Sequence, residues 1–421
     1  MLTRRPRGTA DVLPDEVAKW QHLEQKIREI CTEYGYQEIR TPVFEHTELF
    51  QRGLGEGTDI VEKEMYVFKD RGGRSLTLRP EGTAAAARAY LENNLYAGPQ
   101  PTKLYYVEPL FRYERPQAGR LRQHTQFGIE VFGTQHPAVD AEIIGLAVDF
   151  LGRFGLDNLQ VRINSLGCPG CRSGYRERLL EYFRPHLDQL CPDCLRRFEK
   201  NPLRLLDCKV EECRRWVSEA PSMLDFLCEE CGVHFEHLRG YLEILNIKYE
   251  IDPGIVRGLD YYTKTVFEIK YQDLGAQDTV CGGGRYDGLM EECGGPRIPA
   301  SGFGLGLERL LHTLEKEGYA FPEPVRPWVY LVTAGEKAFA GGFRLLAELR
   351  REGFPSDMDY LGRSLRSQMK QAHKARARYA VILGEEELAR GTVTLRDLDR
   401  GEQREIPARE LITELRKSGD S

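Results

Sequence analysis

Hydrophobic residues recur every three or four positions near the start of the chain and at alternate positions further along it. The first spacing predicts a helix over residues 15–34, with its apolar side formed by Val17, Trp20, Leu23, Ile27 and Ile30. Two runs rich in β-forming residues, KLYYVEPLFRYE and HTQFGIEVFG, follow on either side of RPQAGRLRQ. They predict a hairpin, and residues 138–155 then return to helical spacing.

The second half of the chain mixes β-type segments with a long charged helical stretch. RGLDYYTKTVFEIKY and CGGGRYDGLM have strand character, and SGFGLGLERLLHTLEKEG is typical of a glycine-rich strand that leads into a helix. We therefore expect a main domain formed by residues 1–168 and 250–320 and a mainly helical insertion at 169–249. After a proline-rich linker at 321–327, alternating strands and helices predict a small α/β domain at 328–421.

Charge is unevenly distributed along the chain. The formal net charge is −6, which argues against a nonspecific nucleic-acid binder. Residues 326–421 nevertheless hold 18 lysines and arginines against 15 aspartates and glutamates. Three- and four-residue spacing predicts a basic stripe on one helix face, formed by Arg363, Arg366, Lys370 and Lys374. A solvated helix face would normally mix both signs, so a polyanion such as RNA is the favoured partner.

Neither a membrane segment nor a secretory signal is predicted. No run of about 18 apolar residues is present, and the N-terminal segment MLTRRPRGTADVLPDE is charged without an apolar core. The expected compartment is therefore the cytoplasm.

Cysteines are concentrated in the predicted insertion. The pairs Cys168-Pro-Gly-Cys171 and Cys191-Pro-Asp-Cys194 are separated by 19 residues, and four more cysteines follow by position 231. This spacing fits a four-cysteine zinc site. The alternative is a set of reduced thiols that are partly buried as small apolar side chains.

Polar residues occupy one face of the second hairpin strand. Gln126, Gly128 and Glu130 alternate with apolar residues, and Gly128 leaves room between its two polar neighbours. Arg112 on the partner strand can face the same space beneath the loop 115–122. A solvated face with a cross-strand ion pair is the alternative, but four arginines around one hairpin suit a phosphate ligand better.

Two other short segments combine polar groups with a change of chain direction. Glu81 and Thr83 flank a glycine where a helix is predicted to begin, which favours a helix cap and also offers a carboxylate to an ammonium group. Arg257, Tyr261 and Tyr262 lie together ahead of a strand. That grouping fits either packed tyrosines in a loop or a polar ligand pocket.

The glycine-rich segments do not follow either standard nucleotide-binding pattern. Neither GxGxxG in a Rossmann context nor GxxxxGK[ST] is present. We expect these glycines to let the backbone approach a flat ligand such as an adenine ring, or to let a helix pack on the sheet. Arg309, one turn into the following helix, can point at a phosphate or pair with Glu308 or Glu315 as a surface arginine.

Taken together, these segments resemble the signature motifs of class II aminoacyl-tRNA synthetases. FRYERPQAGRLRQHTQFGIEVFG is similar to the second motif, GFGLGLERLL to the third, and YGYQEIRTPVFE to the first, whose helix and strand form the dimer interface. RGLDYYTKTVFE and GGGRYDGL resemble two motifs of the histidyl-tRNA synthetase family. The resemblance implies an α+β catalytic domain with a central antiparallel sheet of six or seven strands flanked by helices, plus a C-terminal α/β anticodon-binding domain.

The resemblance also implies an activity and its participants. The enzyme would be a homodimer that activates histidine with ATP and Mg²⁺, releases pyrophosphate, and transfers histidine to its tRNA. Arg112 and Arg257 would act at the α-phosphate, and Arg120 and Arg309 would bind the outer phosphates. The implied histidine-binding residues are Glu81, Thr83, Gln126, Glu130, Arg257, Tyr261 and Tyr262. The basic stripe would contact tRNA.

No metal ligand is assigned to the catalytic site. Zinc at the cysteines of residues 168–231 is possible but not favoured, because the family has no zinc requirement known to us. Two other functions compete with the ligase. One is a non-catalytic relative that senses histidine as a regulatory subunit, which would lack the basic tail and the phosphate-binding arginines. The other is a zinc-stabilised RNA-binding module without catalysis.

Overall fold

The computed structural model describes residues 3–55, 58–116, 120–271 and 279–419. The chain divides into two compact units, Met1–Pro322 and Glu323–Ser421. None of the helices in these described segments combines the length and the apolar character that crossing a bilayer requires.

Eleven strands are described in the first unit. In chain order they are β1 (Gln37–Glu38), β2 (Phe44–His46), β3 (Tyr66–Lys69), β4 (Ser75–Leu78), β5 (Thr102–Phe111), β6 (Gln123–Phe132), β7 (Leu159–Ser165), β8 (Tyr249–Ile251), β9 (Thr263–Tyr271), β10 (Thr279–Arg285) and β11 (Ala300–Gly306). Its helices are α1 (Pro14–Glu33), α2 (Thr47–Leu54), α3 (Thr83–Glu92), α4 (Pro137–Gly152), α5 (Pro169–Phe183), α6 (Pro192–Lys200), α7 (Glu211–Val217), α8 (Glu229–Ile244), α9 (Leu289–Glu292) and α10 (Leu307–Lys316).

Eight of these strands form one central sheet in the order β1–β5–β6–β11–β10–β9–β7–β8. The six strands from β5 to β7 pair antiparallel, which confirms the predicted antiparallel sheet and its hairpin. The edge strands β1 and β8 pair parallel to their neighbours. They have only 2 and 3 residues, too few for a hydrophobic pattern to reveal them.

One face of the central sheet carries the main hydrophobic core. The strands pack there against α1, α4, α8 and α10. Leu23, Ile27 and Ile30 of α1 are fully buried, so the predicted apolar side of this helix is confirmed. The helix ends at Glu33, two residues before Gly35, whose φ of 76° suits glycine.

The opposite face of the sheet is only partly covered. α2, α3 and α9 pack over one part of it in a second apolar cluster, which the insertion extends. Polar side chains and glycines occupy the rest of this face. A small antiparallel sheet, in the order β2–β4–β3, lies in the same unit.

Short helices and turns make up the cysteine-rich insertion, as predicted. Between α5 and α8 the chain forms α6, α7 and three 3₁₀ turns, Arg184–Gln189, Pro202–Asp207 and Met223–Phe226. The cysteine grouping considered from the sequence is wrong, because the two CxxC pairs do not meet. One group joins Cys168 and Cys171 to Cys228 and Cys231, and the other consists of Cys191, Cys194, Cys208 and Cys213.

The second unit is the predicted α/β domain. Its strands are β12 (Val329–Thr333), β13 (Ser356–Met358), β14 (Tyr379–Leu383), β15 (Thr392–Asp397) and β16 (Gln403–Pro407), and its helices are α11 (Glu336–Arg351), α12 (Leu365–Lys374), α13 (Glu385–Arg390) and α14 (Leu411–Gly419). They form a five-stranded sheet in the order β13–β12–β14–β15–β16, parallel across β13, β12 and β14 and antiparallel beyond.

Candidate active site

A row of glycines forms the floor of the open sheet face. Gly128 of β6, Gly304 of β11 and Gly282 of β10 are paired side by side, and in the same row they are flanked by Tyr106 on β5 and Glu268 on β9. Paired residues of an antiparallel sheet point to the same side. This glycine floor is therefore a strip without side chains between polar groups on neighbouring strands.

Polar side chains lie directly on much of the glycine floor. A Cβ atom at Gly128 would lie 2.2 Å from Cζ of Tyr106, and one at Gly304 would lie 2.6 Å from Cδ of Gln126. A Cβ atom at Gly302, on the neighbouring row, would lie 2.5 Å from Oε2 of Glu130. The sequence predicted an empty gap at Gly128. The structure differs, because the ring of Tyr106 fills that space.

Glu130 is the most enclosed polar group of the site. It is completely buried, and its Oε1 accepts hydrogen bonds from the hydroxyls of Thr83 (2.8 Å) and Tyr106 (3.1 Å). The hydroxyl of Tyr286 donates to Oε2. Burial raises the pKa of Glu130 well above its usual value. A buried carboxyl with hydroxyl neighbours and no ion-pair partner among the described residues marks a site for a polar or cationic ligand.

Glu81 lies at the start of α3 and makes the cap that the sequence suggested. Its Oε2 accepts the backbone N–H of Thr83 and its Oε1 that of Ala84, both at 2.8 Å. Each carboxylate oxygen keeps lone-pair capacity for a second donor. Burial raises the pKa of Glu81, and the charge of Arg112 opposes that rise. The cap therefore fixes a buried carboxylate close to Thr83 and Glu130.

Three tyrosines line the site beside Glu130. Tyr261 and Tyr262 are both buried, and their ring centroids lie 5.3 Å and 6.1 Å from that of Tyr286. Burial raises the pKa of the Tyr261 and Tyr262 hydroxyls, so both remain protonated donors near neutral pH. We refer to Glu81, Thr83, Tyr106, Gln126, Glu130, Tyr261, Tyr262 and Tyr286 as the carboxylate half of the site.

Arg257 lies over the glycine floor on its other side. A Cβ atom at Gly282 would lie 2.6 Å from both terminal nitrogens of Arg257. Its Nη1 donates to Oε1 of Glu268 at 2.6 Å, and Oε2 of Glu268 accepts from the Thr279 hydroxyl at 3.1 Å. Nε of Arg257 is buried without a hydrogen-bond partner among the described residues. Glu268 thus positions the guanidinium, and a donor remains for a ligand.

The three predicted ATP-binding arginines share one neighbour, His124. Burial lowers the pKa of His124 to about 3, and the charges of Arg112, Arg309 and Arg120 add to that decrease. Three cations around one buried imidazole create a positive potential where a polyanion can bind. Arg112, Arg120, Arg257 and Arg309 are referred to below as the arginine half of the site.

Each of these three arginines is held by a different part of the chain. Nε of Arg112 donates to the backbone carbonyl of Pro80 at 2.7 Å. Arg309 donates to the backbone carbonyl of Thr279. Arg120 is exposed and forms an ion pair with Glu114. Within the predicted loop, residues 117–119 lie outside the described residues.

Four residues of the site were not selected from the sequence. Tyr106, Glu268 and Tyr286 contact predicted site residues, and His124 lies within electrostatic reach of three predicted arginines. Strand alternation places Tyr106 on the same side as Arg112, and register places it opposite Gly128. The hairpin register would therefore have revealed Tyr106. Tyr286 follows β10 directly, where no strand pattern remains to indicate its direction.

A buried ion-pair network anchors the strands beneath the site. Arg285 is fully buried and pairs with Asp140 of α4 at 2.7 Å and with Asp287 at 3.1 Å. The Thr265 hydroxyl also donates to Asp140 at 2.7 Å. Removing one partner would leave an uncompensated buried charge. The network therefore ties α4 to β9 and β10, the strands that carry Glu268 and Gly282.

The whole-chain comparisons agree with this geometry. A family model described as "Histidyl-tRNA synthetase" matches residues 8–169 and 207–310, more than half of the chain. The chain belongs to the histidyl-tRNA synthetase family. A second model, described as "Anticodon binding domain", matches residues 329–418.

Relatives of this histidyl-tRNA synthetase family member extend over nearly its full length. It is 60% identical over 412 residues to the histidine–tRNA ligase of Desulforamulus reducens, covering 98% of both chains. Identity to that of Pelotomaculum thermopropionicum is 58% over 417 residues, covering 99% of this chain and 98% of the relative. The crystal structure of apo histidyl-tRNA synthetase from S. aureus has a TM-score of 0.83 at 40% identity and covers 98% of this chain and 100% of its own.

The prediction that four basic residues share one helix face in the C-terminal unit is correct for three of them. Arg366, Lys370 and Lys374 lie on α12, and their side chains are exposed. Arg363 does not belong to the stripe, because the helix begins at Leu365. Its guanidinium instead pairs with Asp359 at 2.9 Å. In this histidyl-tRNA synthetase family member, the basic stripe therefore consists of three residues of α12.

Proposed function

We infer that the chain joins histidine to its tRNA in two steps. Histidine and ATP first give histidyl-adenylate and pyrophosphate, and the terminal ribose hydroxyl of tRNA then displaces AMP. The observation that supports this most is the arrangement of the carboxylate half and the arginine half around one glycine floor. The first suits a cationic amino acid with a polar ring, and the second suits a polyphosphate.

The carboxylate half is proposed to recognise histidine. Glu81 and Thr83 would take its ammonium group, and Gln126 would contact its carboxylate together with Arg257. The neutral imidazole has one N–H donor and one acceptor nitrogen. Glu130 would accept from the donor. These assignments are supported by the burial of both carboxyl groups without a lysine or arginine ion-pair partner among the described residues.

Tyr262 is proposed to donate its hydroxyl to the second ring nitrogen, while Tyr261 lines the pocket. Burial keeps both hydroxyls protonated. An apolar amino acid of similar size would leave these buried groups unpaired, and each such group costs about 1–3 kcal/mol. Selection for histidine would follow from that cost.

The arginine half is proposed to stabilise charge in the activation step. A carboxylate oxygen of histidine attacks the α-phosphorus, and the bond to pyrophosphate breaks. Because two anions meet, positive charge fixed beside the α-phosphate lowers the barrier. Arg112 and Arg257 would supply it there, and Arg309, assisted by Arg120, would hold the outer phosphates. Mg²⁺ would enter on the ATP substrate, bound to its phosphate oxygens.

Pyrophosphate exchange tests the amino-acid assignment directly. The protein is incubated with ATP, labelled pyrophosphate and each standard amino acid in turn. We expect label to enter ATP only when histidine is present. Exchange driven by another amino acid, or without any amino acid, would refute the assignment, and no exchange under any condition would instead favour a non-catalytic histidine sensor.

The three-residue stripe on α12 is proposed to contact tRNA. Changing Arg366, Lys370 and Lys374 to glutamate should raise the tRNA KM for charging by at least roughly tenfold and should flatten its salt dependence. Histidine-dependent exchange should be unchanged, because that reaction needs no tRNA. The matched control changes three exposed residues of α11 in the same way, Lys337, Arg344 and Arg351. Equal KM values for both variants would contradict this contact.

A second copy of this chain is proposed as a partner of the small sheet. Phe44 and Phe68 are 52% and 42% exposed, and they lie on one face of the β2–β4–β3 sheet with half-buried Leu76 and Leu78. Exposed apolar groups of this kind mark protein interfaces. Phe44→Glu should convert a homodimer into a monomer in light scattering. Phe343→Glu, at a 53% exposed phenylalanine of α11, should not.

Two further assignments complete the proposal. We place the catalytic domain at residues 1–168 and 250–320, the insertion at 169–249, the linker at 321–327 and the anticodon-binding domain at 328–421. The gap in the family match at residues 170–206 supports the insertion.

We also propose that the enzyme works in the cytoplasm, a reducing compartment in which the unpaired state of the described cysteines is expected. Localisation by fractionation would test this.

A further inference from the structure

Eight of the eleven cysteines are gathered in the insertion region into two separate groups of four. In each group, the ligand atoms all lie within 4.8 Å of one another. The groups are nested along the chain, because Cys168, Cys171, Cys228 and Cys231 enclose in sequence the group Cys191, Cys194, Cys208 and Cys213. Folding therefore joins the first CxxC pair to cysteines 57 residues further on, as for Cys171 and Cys228, and not to the next CxxC pair in the sequence.

The sulfur–sulfur distances fit a tetrahedral metal site. Four sulfurs at a Zn–S distance of about 2.3 Å are separated from one another by roughly 3.8 Å. Sγ of Cys168 lies 3.6 Å from Sγ of Cys171, and Sγ of Cys191 lies 3.9 Å from Sγ of Cys208. A disulfide would require about 2.05 Å. Both distances are close to the edge of a zinc–thiolate tetrahedron.

Backbone geometry around both groups favours thiolates. Cys168, Cys191 and Cys228 are the N-cap residues of α5, α6 and α8, where the helix dipole stabilises negative charge. The backbone N–H of Cys228 donates to Sγ of Cys171 at 3.1 Å, and that of Cys191 donates to Sγ of Cys213 at 3.2 Å. Amide donors of this kind orient and stabilise metal-bound sulfur.

We propose that the insertion binds two structural zinc ions, one in each four-cysteine group. Each thiol would lose its proton on binding, and four sulfurs leave no open position for a substrate, so neither ion takes part in the chemistry. The region between α5 and α8 consists of short helices and turns with little regular structure of its own, the kind of segment that a metal ion stabilises. The sequence did not favour zinc, because the resemblance to the family implied no zinc requirement; the grouping of the cysteines in the fold changes that expectation.

The first group would also support the active-site loop. Arg172, which follows Cys171 in α5, donates to the backbone carbonyls of Leu166 (3.3 Å) and Asp260 (3.4 Å). The backbone N–H of Lys264 donates to the carbonyl of Gly167 at 2.8 Å. Metal in this group would therefore stabilise the segment between Arg257 and Lys264 through the contacts of Gly167 and Arg172.

Metal analysis of the full-length protein, purified without added metal or chelator, tests the proposal. Elemental analysis should give two zinc ions per chain. The double variants Cys168→Ser/Cys231→Ser and Cys194→Ser/Cys213→Ser should each retain one. Cys293→Ala, a change outside both groups, should retain two. Chelation should lower the midpoint of thermal unfolding, and it should expose eight thiols to a thiol reagent.

Several outcomes would overturn the proposal. The first is less than one zinc ion per chain with all eight thiols freely reactive. The second is iron in place of zinc. The third is the detection of disulfides within the groups by mass spectrometry of unreduced protein. If the double variants do not fold, replacement of the metal by Co²⁺ in the parent protein tests whether both sites exist. Two equivalents of Co²⁺ should produce the absorption of tetrahedral thiolate coordination, and its absence would reject both sites.

Discussion

Replacing Arg257 with alanine should slow histidine-dependent pyrophosphate exchange by roughly 10²–10³-fold, the range found when one preorganised donor to a transition state is removed. The guanidinium is already fixed by Glu268 and by close contact with Gly282. It therefore needs no reorganisation when charge develops on the α-phosphate. The histidine KM should change much less than the rate, because the ammonium and ring contacts remain.

The control for Arg257 is a guanidinium on the same sheet. Arg162 of β7 is paired in register with Glu268, but its side chain contacts Asp252 at 3.0 Å and not the glycine floor. Arg162→Ala should leave exchange close to the parent rate. Equal activation rates for Arg257→Ala and the parent protein would end the assignment of Arg257 to the α-phosphate.

Replacing Glu130 with alanine should raise the histidine KM far more than it lowers the maximal exchange rate. Without this acceptor the buried ring N–H would have no partner, which costs about 1–3 kcal/mol and corresponds to roughly 5–150-fold in affinity. The expected direction follows from the position of Glu130, which is completely buried beneath the proposed imidazole site. Exchange rates measured over a range of histidine concentrations separate KM from the maximal rate.

Glu130 also accepts hydrogen bonds from protein hydroxyls, so a control must remove one of them alone. Tyr286→Phe deletes the donor to Oε2 and leaves the carboxylate in place. It should alter the histidine KM less than Glu130→Ala does. Thermal unfolding of both variants shows whether any change in KM reflects a loss of folded protein. An unchanged histidine affinity in Glu130→Ala would rule out imidazole recognition by this residue.

Strands and helices with a repeated pattern were predictable from the sequence. Phe127 and Ile129 face the core while Gln126 and Glu130 face the site, because side chains alternate along a strand. α12 shows the limit of such patterns. The spacing of its basic residues is helical, but it carries no information about the first residue of the helix. Arg363 was therefore placed on a helix that begins two residues later.

The contacts within the site depend on registers between strands that are distant in sequence. The hydroxyl of Tyr286 reaches Glu130, 156 positions away in the chain, because β11 pairs with both β6 and β10. The cysteine groups likewise depend on how α5, α6 and α8 pack. Spacing alone allows several pairings, so the sequence indicated that metal ligands were present without indicating which of them meet.

The glycine floor also couples substitutions in the sheet to the side chains above it. A methyl group at Gly282 would lie 2.6 Å from the terminal nitrogens of Arg257, and one at Gly304 would lie 2.6 Å from Cδ of Gln126. Both contacts involve the ends of flexible side chains, so a methyl group at either glycine would displace the side chain above it and leave the strand pairing in place. An alanine in the floor would therefore move Arg257 or Gln126 without replacing either residue, and the backbone of the sheet itself helps to set the shape of the proposed binding site.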